Sequence, residues 1–80
     1  MNTKKRITDT VAIRKIMVEK GFKTISSLAI EANINRTTLG KVLDGKIQPS
    51  SDVMLKLAET LDISASDAGK IFFATYLRIT

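Results

Sequence analysis

The sequence predicts an all-α domain of five short helices, and three features of its 80 residues predict it. Apolar residues recur at i, i+3 and i+4 in five separate segments, the spacing of one helix face. A residue able to cap a helix precedes each segment, and Gly, Asn or Asp follows four of them. The connections are only a few residues long, which leaves little room for other structure.

Taken in order, residues 1–7, MNTKKRI, show no periodicity and read as a short basic arm. Residues 8–80 form the domain proper. Thr8 or Thr10 caps a first helix whose stripe is Val11, Ile13, Ile16 and Met17, edged by Arg14, Lys15 and Lys20. Gly21 stops it. The Thr24 hydroxyl is placed to cap the amide of Ser26 or Ser27. The helix it opens puts Ile25, Leu28, Ala29 and Ala32 on one face. Asn33 then stands at a sharp turn, where Asn tolerates the left-handed backbone better than most residues. Ile34 plugs the space beneath, and Asn35 caps a third helix with Leu39, Val42 and Leu43 inward. Asp44-Gly45 ends that helix. Residues 46–49 form a loop, since Pro49 holds Gln48 extended. Ser50 opens a fourth helix lined by Val53, Met54, Leu57, Ala58 and Leu61, and Asp62 breaks it. Ser64 with Asp67 resembles a capping box. The fifth helix, about 65–77, carries Ala68, Ile71, Phe72, Thr75 and Tyr76, with Phe73 and Leu77 beside the stripe. Residues 78–80 either continue it or leave as a strand.

Composition narrows the function. The chain has no Cys and no His. The usual nucleophiles, general bases and soft metal ligands are therefore missing, and no two carboxylates sit as an acid/base pair. An enzyme, a metal site or a bound cofactor is not expected. The apolar runs are too short for a membrane span or a secretory segment, so a cytoplasmic protein is the expectation. Charge is uneven along the chain. Residues 1–46 hold ten Lys/Arg against four acids, a net +6, whereas residues 47–80 hold three against four, a net −1. A basic half joined to a near-neutral half with most of the aromatics suits a polyanion-binding face beside a packing or dimer face.

The helix pair at about 25–44 reads as a helix-turn-helix. The outward face of its second helix, about 36–44, carries Arg36, Thr37, Gly40 and Lys41, hydrogen-bonding residues and a glycine in place of the usual Glu/Lys mixture. A recognition helix offers such a face to the DNA major groove. Residues about 11–67 resemble the Cro/repressor family, the lambda-repressor-like or Xre-like helix-turn-helix domains. The likeness is carried by Leu28-Ala29, the turn Asn33-Ile34-Asn35-Arg36, Leu39, Val42, Gly45-Lys46, Pro49-Ser50, Leu55-Lys56-Leu57-Ala58, Leu61 and Ile63-Ser64. The chain also departs from the family pattern. Asn33 replaces the common turn Gly, and Ile25 replaces a Gln that contacts phosphate. Met17 and Leu43 replace an Arg–Glu pair, an exchange that is often neutral or stabilising; the two side chains are expected to touch.

The resemblance implies a compact lambda-repressor-like fold and a sequence-specific regulator of transcription, a Cro-type repressor like those of phages and mobile elements. Alternatively, the chain is the DNA-binding part of a longer repressor. The family reads bases from positions that correspond to Arg36, Thr37 and Lys41, where Arg or Lys can meet guanine and the Thr methyl a thymine methyl. Gly40 either lets the helix approach the groove floor or is tolerated on an exposed turn. Thr24, Thr38, Lys46, Gln48 and Ser50 are candidates for phosphate. Lys4, Lys5 and Arg6 form either a DNA-wrapping arm or a solubilising tail. Three aromatics within five residues, Phe72, Phe73 and Tyr76, exceed what one short helix buries and mark a homodimer interface on the C-terminal helix. The expected partner is a double-stranded DNA operator. The runner-up is a protein-interaction module of the same fold, an antitoxin or anti-repressor that binds another regulatory protein.

Overall fold

The computed structural model describes residues 6–75. Five helices follow one another: α1 (Thr10–Glu19), α2 (Ile25–Ala32), α3 (Arg36–Leu43), α4 (Ser51–Thr60) and α5 (Ala65–Phe72). A two-residue antiparallel pair, β1 (Arg6–Ile7) with β2 (Ala74–Thr75), ties the two ends of the described chain together, Arg6 opposite Thr75 and Ile7 opposite Ala74. The domain is all-α apart from this short ribbon.

Each helix starts on a side-chain oxygen that accepts from an amide three residues on. Asp9 accepts from Ala12 at 3.0 Å, Thr24 from Ser27 at 3.0 Å and Asn35 from Thr38 at 3.1 Å. Ser50 accepts from Val53 at 3.2 Å and Ser64 from Asp67 at 3.1 Å. The first cap is thus Asp9, between Thr8 and Thr10. Each bond satisfies an amide that the helix cannot, an effect of about 1 kcal/mol.

The helix ends share a second device. After α2 the chain enters the left-handed region at Asn33, φ 58°. The Ile34 amide then reaches back to the Ala29 carbonyl at 2.9 Å, and the Asn33 amide to Ile30 at 3.2 Å. That double return closes the last turn and throws the next side chain inward. Ile34 is accordingly buried. The same returns close α1 through Gly21-Phe22 and α4 through Asp62-Ile63, and both apolar followers pack against the core.

The core gathers Ile13 and Met17 of α1, Leu28, Ala29 and Ala32 of α2, Leu39 and Leu43 of α3, Leu57 and Leu61, and Ile71 and Phe72 of α5. Val11, which the periodicity places on the stripe of α1, instead faces solvent.

The fifth helix ends at Phe72, five residues before the expected limit near 77. Its last carbonyls, which have no partner within the helix, are taken by other segments. The Asp9 amide donates to the Ile71 carbonyl at 2.7 Å, and Gln48 Nε2 donates to the Phe72 carbonyl at 2.6 Å. The chain then turns at Phe73 and pairs with β1. Residues 76–80, including Tyr76, lie outside the described residues, as do Lys4 and Lys5 of the arm; Arg6 enters as backbone of β1.

Candidate nucleic-acid interface

The recognition surface is set by how α3 is seated. Leu39 and Val42 are fully buried and Leu43 is 1% exposed. Burying such side chains contributes about 1.5–3 kcal/mol each, so the rotation of α3 about its own axis is determined. Arg36, Thr37 and Lys41 are exposed as a consequence, and Gly40 is half-exposed between them. Ala29 of α2, 4% exposed, is small enough for α2 and α3 to cross closely.

Two cations from other helices clamp α3 and its approach. Arg14 of α1 donates through Nε and Nη2 to the Leu43 carbonyl, at 3.2 and 3.1 Å, and through Nη2 to the Asp44 carboxylate at 3.0 Å. A cation at a helix C-terminus meets the negative end of the helix dipole and its unpaired carbonyls. Lys56 of α4 does the same for the turn: its Nζ donates to the Asn33 carbonyl at 3.1 Å and pairs with Asp52 at 3.2 Å. The Arg14 side chain is 46% exposed, so its ion pair contributes at the weak end, below about 1 kcal/mol. Its larger effect is on charge. Asp44 is the acid closest in sequence to Lys41 and Lys46, and Arg14 offsets it.

Sequence reasoning missed Arg14, Lys56 and a third residue, Ser26. The Arg14 link bears on the family's Arg–Glu pair. Met17 and Leu43 share the core cluster, as their apolar character requires. An ion pair nevertheless joins α1 to the end of α3, displaced to Arg14 and Asp44. Ser26 of α2 accepts from Nε of Arg36 at 2.6 Å. Neither link has a signal in sequence spacing, because each joins side chains on different helices.

The other predicted positions divide. Thr24 and Ser50 serve as helix caps through their oxygens and keep a hydroxyl hydrogen to donate outward. Lys46 is exposed in the loop after α3, and Thr38 is half-buried on the flank of that helix. Gln48 is exposed in the same loop and makes two structural bonds. Its Oε1 accepts from the Thr8 hydroxyl at 3.0 Å while its Nε2 donates to the Phe72 carbonyl at 2.6 Å, so both polar atoms are engaged within the protein. Phe72 does not fit an interface role, because at 1% exposure its ring fills the chain's own core. Among the described residues Phe73 is the exposed aromatic, at 45%. It borders an apolar groove of about 340 Å³ between α4 and α5, lined by Met54, Leu55, Ala58, Ala68 and Phe72 among others. Among the described residues no His/Cys/Asp/Glu cluster could hold a metal, and no helix is long and apolar enough to cross a membrane.

A capped helix, a left-handed Asn turn and a second helix with a polar, basic outer face define a helix-turn-helix domain. Residues 12–70 match the family described as the Cro/C1-type HTH DNA-binding domain, and the chain belongs to that family. Comparison with curated proteins and with solved structures gives no match.

Proposed function

We propose that this chain is a sequence-specific regulator of transcription, a Cro-type repressor that inserts α3 into the major groove of an operator. The observation that carries this is the division of α3: Leu39, Val42 and Leu43 buried, Arg36, Thr37 and Lys41 outward around Gly40. Arg36 and Lys41 donate to guanine O6 and N7, and Thr37 packs on a thymine methyl. Lys46, Thr24, Thr38 and Ser50 meet phosphates and fix the register.

The protein acts as a homodimer. Leu55 and Phe73, 58% and 45% exposed, flank the α4–α5 groove, and a two-fold axis there covers both apolar rims at once. Recognition of two half-sites on one face of the duplex requires the two α3 helices to lie about 34 Å apart, one turn of duplex. Such a dimer on a promoter blocks polymerase sterically.

Selection from a random duplex pool at two salt concentrations tests this reading. The expected product is a palindromic motif bound at least about 10³-fold more tightly than unrelated duplex, with affinity falling steeply as salt rises. A pool that yields no motif at either concentration overturns it.

A further inference from the structure

We propose that Ser26 is a positioning residue for base recognition, holding the Arg36 guanidinium by its Nε edge so that the two terminal nitrogens meet a guanine as a preset fork. This rests on the reading of α3 as the recognition helix.

Arg36 is the first residue of α3 and is exposed. A free arginine there samples many rotamers, and a base contact must stop that motion. Ser26 lies on α2, ten positions earlier in sequence, and its Oγ sits 2.6 Å from Arg36 Nε. Of the exposed recognition residues Arg36, Thr37 and Lys41, only Arg36 is held by another side chain among the described residues.

Which donor is used decides the consequence. A guanidinium has five N–H donors, one on Nε and four on the terminal nitrogens. End-on recognition of guanine O6 and N7 takes one hydrogen from each terminal nitrogen and leaves Nε idle. Ser26 engages the Nε hydrogen. It therefore fixes the plane and direction of the fork without consuming a hydrogen that reads the base. A bond to a terminal nitrogen would instead compete with the base. Presetting one long side chain changes affinity by about two- to tenfold.

The test uses the full chain and the duplex motif it selects. Arg36→Ala first identifies the base pair that Arg36 reads. Ser26→Ala is expected to lower affinity for the selected duplex about two- to tenfold, with the loss confined to that base pair. Binding to unrelated duplex, the salt slope and the thermal midpoint stay at parent values, and Ser26→Thr, which keeps a hydroxyl, retains the parent preference. The double variant S26A/R36A binds no more weakly than R36A. The proposal is overturned if Ser26→Ala weakens all duplexes alike, if the two losses add in the double variant, or if only the thermal midpoint moves, since the bond is then a phosphate clamp or a plain link between helices. A parent chain that selects no motif refutes the function itself; a selective parent with an indifferent Ser26→Ala refutes only this role.

Discussion

Gly40→Ala separates what the fold needs from what DNA needs. Gly40 lies inside α3, where glycine is less favourable than alanine by about 0.8–1.0 kcal/mol because its backbone loses more freedom on folding. No heavy atom of the surrounding structure lies within 4 Å of where a Cβ would stand. The methyl group meets no obstacle in the free protein, so the substitution is expected to recover most of that difference. For a domain of this size the gain raises the thermal midpoint by about 4–8 °C per kcal/mol. Calorimetry or far-UV circular dichroism reads it directly. Gly69→Ala in α5, also open within 4 Å, is expected to stabilise the chain similarly, and because Gly69 lines the α4–α5 groove it is compared by thermal midpoint alone. The same methyl points out between Arg36 and Lys41. If α3 lies close to the groove floor it strikes the bases, and affinity for the selected duplex falls by about tenfold or more, the scale of one mismatched pair. A stabilised Gly40→Ala protein that binds as tightly as the parent refutes close approach at this position. A protein that is not stabilised refutes the claim that the site is open.

Other substitutions probe separate parts of the argument. Arg36→Ala and Lys41→Ala are expected to cost about 1–3 kcal/mol on the selected duplex and relax preference at one or two base pairs, read by competition binding. Lys46→Ala is expected to weaken all duplexes alike and reduce the salt slope by about one unit; an unchanged slope removes Lys46 from the phosphate contacts. Gln48→Ala leaves the Thr8 hydroxyl and the Phe72 carbonyl without their partner. It is expected to lower unfolding free energy by about 1–3 kcal/mol in urea titrations while leaving the salt slope unchanged, opposite to Lys46→Ala. Phe73→Lys is expected to abolish the dimer in sedimentation at micromolar concentration without unfolding the chain, because the ring is half-exposed; Phe72→Lys is expected to unfold it.

The contrast between Phe72 and Phe73 shows where sequence reading stops. Periodicity sets Phe72 on the inner stripe of the fifth helix and Phe73 beside it, and the fold buries the first and exposes the second. What periodicity does not give is where α5 ends, and α5 ends where the Asp9 amide and Gln48 side chain take its last carbonyls. Both partners come from distant parts of the sequence. Gln48 also appeared unengaged from its place in the loop, and only the fold bonds its amide to Thr8 and the Phe72 carbonyl.

What the sequence determined by itself is local. A capping oxygen reaches an amide three residues on, and a left-handed Asn or Gly returns the next amide to the turn just completed. Thr24, Asn33, Asn35 and Ser50 are therefore legible one at a time, together with the helices they bound and the face that α3 must bury. What only tertiary structure decided joins segments that no spacing relates: Arg14 to the end of α3, Lys56 to the Asn33 carbonyl, Gln48 to α5 and Ser26 to Arg36. A long side chain on a helix surface has many partners within reach until the helices are packed. Packing is driven by apolar burial, which is blind to direction, and the polar links are settled only once it has brought those surfaces together.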